Sequence, residues 1–228
     1  MQLKNAVVLI TGGSRGLGQA LAETFVQAGS QVVITAKNQE LLNQVAKGIG
    51  ALPLLLDVRS ESRVEAAVQK VIERFGRIDI WVNNAGIWLP HVPIEKMDLS
   101  RVHDMVEVNL FGTIYGSKIA LQQMRKQGGG VIVNILSTSA LTGRAYSSGY
   151  CASKHAAVGF TSSLRLEVEA DNIKVIAVYP GGMKTSFFDE AKPENYDEYM
   201  EPAEVARKIV DNLAGPNPEL ELIIKRPA

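Results

Sequence analysis

The chain has 228 residues, 46% of them hydrophobic and 21% charged, an ordinary globular composition that excludes a disordered or collagen-like protein. Lys and Arg number 24 and so do Asp and Glu, so no global positive field recruits nucleic acid or an anionic membrane, and any bound anion has to be held locally. One cysteine, Cys151, and three histidines without metal-ligand spacing exclude an intrachain disulfide and a multi-cysteine zinc site. A reducing compartment suits such a chain. The apolar run at 6–10 is too short for a membrane span and lacks a signal-peptide cleavage region, so a soluble, cytoplasmic protein is expected. No Gly/Ser/Pro-rich linker, repeat or low-complexity tract divides the sequence, and a single domain over 1–228 is expected.

Apolar, β-branched runs bounded by Gly, Asp or Asn predict strands at 6–11, 31–36, 52–57, 78–83, 131–137, 173–179 and 220–225. Most hold several adjacent apolar residues rather than a strict alternation, which fits a sheet covered on both faces. Helical spacing fills the intervals. Leu17, Leu21, Phe25 and Ala28 make one stripe that stops at Gly29, and Ala157, Phe160, Leu164 and Val168 make another. Weaker helical patterns occupy 39–49, 60–75, 99–126 and 203–213. Strand and helix alternate almost to the end, and this order predicts an α/β protein with a doubly wound parallel sheet of about seven strands. One segment, 181–201, breaks the rhythm: Phe187, Phe188, Tyr196, Tyr199 and Met200 stand among acids and Pro193, behind a Gly181-Gly182 pair that offers a hinge. Long irregular segments in compact domains often cover a substrate, so a lid is expected here.

The first strand runs into Thr11-Gly12-Gly13-Ser14-Arg15-Gly16-Leu17-Gly18, and a helix starts inside that segment. A dinucleotide pyrophosphate needs backbone without Cβ at a tight turn, free N–H groups at a helix N-terminus and close helix–strand packing, which Gly12, Gly16 and Gly18 can supply. Their G-x3-G-x-G spacing differs from the common G-x-G-x-x-G, and a plain strand-to-helix turn would look similar. The second strand ends in Thr35-Ala36-Lys37, with no acid to accept bonds from an adenosine ribose. Lys37, with Arg15 from the glycine turn, instead offers positive charge to a 2′-phosphate, so NADP is expected rather than NAD.

Tyr150 and Lys154 lie one helical turn apart on one face. Positive charge beside a phenol of reference pKa about 10 can bring it into range for proton exchange. Ser137, thirteen residues earlier at the end of the fifth predicted strand, can orient a carbonyl oxygen and support charge developing on it. Ser139 is its rival on residue type alone. A Ser-His-Asp hydrolase is disfavoured, because no G-x-S-x-G segment is present and His91, His103 and His155 have no evident pairing.

These segments, together with Asn83-Asn84-Ala85-Gly86, Asn109 in Val-Asn-Leu and Pro180-Gly181, resemble the short-chain dehydrogenase/reductase family in order and spacing, from the first strand to about Thr185. The resemblance implies a Rossmann-type sheet and a catalytic tetrad of Asn109, Ser137, Tyr150 and Lys154. In it Tyr150 is the general acid in reduction, Ser137 anchors the carbonyl, Lys154 stabilises the phenolate and holds the ribose, and Asn109 holds a relay water. It favours Ser137 over Ser139, which is left to the substrate. The cofactor ligands implied are Gly12, Ser14, Arg15, Gly16, Leu17, Gly18 and Lys37; Asp57 and Val58 at the adenine; Asn83, Asn84, Ala85 and Gly86 at the floor; and Pro180, Gly181, Met183 and Thr185 at the nicotinamide carboxamide. Trp88, Leu89, Met183, Phe187 and Phe188 suggest an apolar substrate pocket.

Two positions depart from the family's pattern. Leu136 stands where many members carry a second serine, and the tail 222–228 lacks the glycine pair of many tetrameric members. A homodimer through the helices near 99–126 and 150–170 is the expected assembly, with a tetramer as the alternative. The activity expected is an NADPH-dependent reduction of a ketone or aldehyde, reversible as an alcohol dehydrogenase. A non-catalytic NADP sensor or regulator on the same fold is the rival reading.

Overall fold

The structure is a computed structural model and describes residues 1–226; Pro227 and Ala228, the end of the tail on which the assembly expectation rests, lie outside the described residues. Seven strands form one sheet: β1 (Val7–Thr11), β2 (Gln31–Ala36), β3 (Leu52–Leu55), β4 (Ile80–Asn83), β5 (Gly130–Ile135), β6 (Ile173–Pro180) and β7 (Glu221–Ile224). Their spatial order is β3-β2-β1-β4-β5-β6-β7. Every neighbouring pair is parallel. The helices are α1 (Gly16–Gln27), α2 (Gln39–Ile49), α3 (Glu61–Phe75), α4 (Leu99–Val106), α5 (Gly112–Gln127), α6 (Ser148–Glu167) and α7 (Pro202–Ala214).

Side chains of a strand point alternately to the two faces, and here both faces are apolar. Val8 and Ile10 of β1 pack with Leu17, Leu21 and Phe25 of α1 and with Val205, Ile209 and Leu213 of α7. Val7 and Leu9 of the same strand pack on the opposite face with Val64, Val68 and Val71 of α3 and Ile119 and Met124 of α5. The continuous apolar runs in the sequence are therefore the two faces of a doubly covered sheet.

The stretch 99–126, expected as one helical pattern, is two helices joined by a π turn at Glu107–Phe111. Such a turn accommodates one extra residue, and π turns concentrate at functional sites. It carries Asn109 inward, where the side chain is 1% exposed. Three predicted strands end early: β7 stops at Ile224, β3 at Leu55 and β5 at Ile135, so Asp57 and Ser137 lie in the loops beyond their strands.

The chain runs outward to β3 on one side of β1 and returns through β4 on the other, so the order reverses between β1 and β4. A crevice opens at the carboxyl ends of the strands at such a reversal. The loops carrying Gly12, Lys37, Asp57, Ala85, Ser137 and Gly181 all leave the sheet at those ends.

Candidate active site

A cavity of about 510 Å³ lies along this edge. Its lining runs from Arg15, Lys37, Asp57 and Val58 at one end, past Gly12, Ser14, Gly16, Leu17, Gly18, Ala85 and Gly86, to the other end. That end holds Ser137, Ser139, Tyr150, Lys154, Pro180, Gly181, Met183 and Thr185, with Trp88, Phe187 and Phe188.

The turn after β1 comes so close to the loop after β4 that side chains are excluded. Gly12 has φ +66°, and a Cβ there would lie 2.9 Å from the Ala85 Cα; one on Gly18 would collide with the Gly12 carbonyl oxygen. Asn84 fastens the two loops by donating from Nδ2 to the carbonyls of Thr11 (2.8 Å) and Gly12 (3.1 Å). Thr11 Oγ1 accepts the N–H groups of Asn84 and Ala85, both at 3.0 Å. Where α2 and α3 are capped by Asn38 and Ser60, α1 has no side-chain cap and no acid in its first turn. Its leading N–H groups thus face the cavity without a side-chain partner, the arrangement that takes an anion. This fits a dinucleotide pyrophosphate.

At the far end, the Ser137 hydroxyl accepts the Ser139 N–H at 3.1 Å and faces the Tyr150 phenol, whose pKa it draws down. Burial outweighs this and pushes the phenol up to about 12, so Tyr150 carries its proton at neutral pH. Burial likewise pushes Lys154 down to about 8. The Lys154 ammonium donates to the Ile135 carbonyl at 2.9 Å. The Arg144 guanidinium also draws the phenol's pKa down. Lys154 and Tyr150 thus share the cavity, with no hydrogen bond between them among the described residues. Phe187 meets the Tyr150 ring edge-on at a centroid separation of 6.3 Å.

A family model described as short chain dehydrogenase matches residues 6–196. The chain belongs to the short-chain dehydrogenase/reductase family. A levodione reductase of Leifsonia aquatica is 35% identical over 219 residues, 93% of this chain and 80% of that protein. Carbonyl reductase family member 4 of Xenopus laevis is 34% identical over 217 residues, 92% of each chain. Among solved structures, an alcohol dehydrogenase from Thermococcus sibiricus complexed with 5-hydroxy-NADP superposes with a TM-score of 0.86 at 28% identity, covering 98% of this chain and 99% of that one.

Leu89 is absent from the cavity lining, and two short-chain dehydrogenase positions expected there also lie elsewhere. Asn83 does not line it: its side chain turns inward, accepting from Trp81 Nε1 at 2.6 Å and donating to Ser117 Oγ at 2.9 Å and Asn134 Oδ1 at 2.8 Å. The residue beside it, Asn84, is the one on the floor. Asn109 also sits behind the wall. Its amide donates to the Ile87 carbonyl (2.9 Å) and to Ser153 Oγ (3.1 Å), while Oδ1 accepts the Ile87 N–H (2.9 Å). With both amide hydrogens committed, Asn109 fixes the loop after β4 and has no side-chain donor left for a relay water.

The 181–201 segment is also more ordered than its composition suggested. Gly181 donates to the Ile224 carbonyl at 2.9 Å, and Met183 and Met200 form a parallel bridge closed by Met200 N–H to Gly182 (3.1 Å) and Lys184 N–H to Met200 (2.9 Å). The glycine pair is clamped, not a free hinge. Between the clamps, two short 3-10 turns carry the aromatics. Phe188 packs edge-on against Trp88 (5.1 Å), Phe187 (5.5 Å) and Tyr199 (5.5 Å).

Arg144 and His91 also line the cavity. Neither belongs to an apolar period or a spaced motif, so pattern reading had no means to find them. At the cofactor end, Arg59 grips the Asp57 carboxylate at 2.7 Å and holds it below the usual carboxylate range.

The lowered Lys154 pKa has a consequence for stability. The unfolded chain binds that proton more tightly than the folded one, so the penalty is full below about pH 8 and fades as pH rises toward 10.5. In cofactor-free protein, stability measured by urea unfolding should therefore rise across that interval relative to Lys154→Met, by an amount on the order of 2–4 kcal/mol. A difference between the two proteins that is constant with pH would show that Lys154 is not held in a desolvated site.

Proposed function

We propose that the protein is an NADPH-dependent carbonyl reductase, reversible as an alcohol dehydrogenase, acting on ketones or aldehydes. The observation that carries this reading is the placement of Ser137, Tyr150 and Lys154 on one cavity whose opposite end holds an uncapped helix N-terminus and two exposed cations, Arg15 and Lys37. The relatives named as a levodione reductase and a carbonyl reductase support the reaction class, and the alcohol dehydrogenase complexed with 5-hydroxy-NADP supports the cofactor class.

The N–H groups of Gly16, Leu17 and Gly18 would hold the pyrophosphate, Asp57 and Val58 would flank the adenine, and Lys154 would hold the ribose. Pro180, Gly181, Met183 and Thr185 would hold the carboxamide. When bound, the reduced nicotinamide supplies the hydride. Ser137 donates its hydroxyl hydrogen to the carbonyl oxygen and fixes its position. Tyr150, kept protonated by its burial, transfers its proton to that oxygen as negative charge develops there. The Lys154 ammonium then favours the phenolate left behind. Asn109 acts as a positioning residue through Ile87 and Ser153. Phe187, Phe188 and Trp88 present an apolar face to the substrate and keep water from the reacting carbon. The protein works as a homodimer in this reading, and the exposed Phe111 and Leu166 near and on the expected helices support it.

Three outcomes follow from these assignments. Positioned proton transfer contributes about 10²–10⁴ in rate, so Tyr150→Phe should lose that much kcat on a panel of ketones with NADPH while cofactor affinity, read by fluorescence titration, changes little. Retention of most activity removes Tyr150 from the role of acid, and a panel with no turnover points to a non-catalytic NADP sensor. Lys37→Asp should weaken NADPH by about tenfold or more and move preference toward NADH; equal kcat/KM with both cofactors in the unmodified protein contradicts the 2′-phosphate assignment. Replacing Phe187 and Phe188 together by Ala should raise KM for bulky apolar ketones severalfold and leave NADPH binding nearly unchanged. If KM holds, the aromatics serve the core of the lid alone.

A further inference from the structure

The charges along the cavity are distributed unevenly. Arg15 and Lys37 belong to the cofactor end, and Lys154 is bonded to Ile135. Among the described residues Asp57 is the one carboxylate in the lining; it is also at the cofactor end and is already gripped by Arg59. Among the described residues the substrate end therefore contains a cation, Arg144, and no acid. Arg144 takes part in none of the ion pairs among the described residues. Its guanidinium is exposed on the cavity wall that also holds Ser139, Ser147 and His91.

The turn that presents it is held in an uncommon conformation. Tyr146 has φ +63°, in the left-handed region that a bulky side chain seldom occupies. In that conformation its carbonyl accepts the Val92 N–H at 3.0 Å, and the Ser147 N–H donates to the Arg144 carbonyl at 3.3 Å. The first bond fastens the Arg144 turn to the loop that carries Trp88 and His91, whose rings meet edge-on at 5.4 Å. Arg144 is thus presented beside an aromatic wall. Its charge reaches the reacting end of the cavity, since it bears on both the Tyr150 phenol and the His91 ring, and with burial it keeps His91 below its ordinary pKa. A planar guanidinium with five donors suits the bidentate recognition of a carboxylate.

We propose that Arg144 is the anion anchor of the substrate subsite, so that the substrates of this protein are carbonyl compounds, or the matching alcohols, with an aromatic or apolar body and a carboxylate. This rests on the reductase reading above and narrows it to a substrate class. Arg144 would grip the carboxylate while Ser137 and Tyr150 meet the carbonyl oxygen, and the rings of Trp88, Phe187 and Phe188 would cover the body between them. The anchor fixes which end of the substrate enters first.

The test compares benzoylpropionate with its methyl ester and its primary amide, using the full chain, NADPH, and the variants Arg144→Ala and Arg144→Lys. The unmodified protein should favour the acid over either neutral form by about tenfold or more in kcat/KM, equivalent to about 1.4 kcal/mol. Arg144→Ala should bring that ratio close to one, chiefly through KM for the acid, and Arg144→Lys should restore part of it. A general folding defect lowers acid and ester together and leaves the ratio intact, so an unchanged ratio in Arg144→Ala overturns the proposal. So does an unmodified protein that treats acid and ester alike. Absence of turnover with all three compounds overturns the reductase reading instead. In that event calorimetric titration of benzoylpropionate into the NADPH-loaded protein still decides the subsite. Binding weakened about tenfold by Arg144→Ala sustains the anchor, and equal or absent binding removes it.

Discussion

The site depends on the close approach of two backbone loops at the carboxyl ends of β1 and β4. A strand leading straight into an uncapped helix leaves peptide groups that need partners, and here the loop of the neighbouring strand supplies them. The Asn84 amide satisfies the carbonyls of Thr11 and Gly12, and the Thr11 hydroxyl takes two N–H groups in return. These bonds leave the first N–H groups of α1 pointing into the crevice. Had a serine or aspartate capped α1, as Asn38 and Ser60 cap the next two helices, the same positive helix end would already be in use.

A second polar system lies beneath the site and connects layers that hydrophobic contact alone would let slide. Asn83 joins Trp81 on its own strand to Ser117 of α5 and Asn134 of β5. Asn134 continues to Thr161 of α6, which donates to the Ala157 carbonyl at 2.7 Å. Each member has a partner, the condition under which a buried polar network specifies one arrangement without leaving a desolvated group unpaired. Helix α6 carries both Tyr150 and Lys154, so its height against the sheet decides where the phenol sits. The network sets that height.

The parts of this architecture that repeat were legible in the sequence. A sheet buried on both faces leaves apolar runs at β1, β5 and β6, and alternating helical stripes imply parallel connections, so order and fold class follow from local pattern. Residues whose role is set by backbone geometry were also legible, because few alternatives to Gly12 or Gly18 fit a backbone contact. What escaped was any choice between neighbours of the same chemistry. Asn83 and Asn84 are adjacent amides, and only the direction in which β4 ends turns one into the helix layer and the other to the cavity floor. The π turn around Asn109 was hidden because it interrupts the helical period by one residue without breaking its apolar stripe. Arg144 and His91 reach the cavity from irregular loops that no period describes.

The bridge between Met183 and Met200 makes the intervening stretch a closed ring fastened at its base. The entropic cost of holding the ends of such a ring together grows only with the logarithm of its length, about 0.6 kcal/mol for each doubling. A change of length between the two methionines therefore costs little in closure entropy, while it reshapes one wall of the cavity. The two clamps thereby fix where the ring leaves and rejoins the fold, and the residues between them shape the cavity wall.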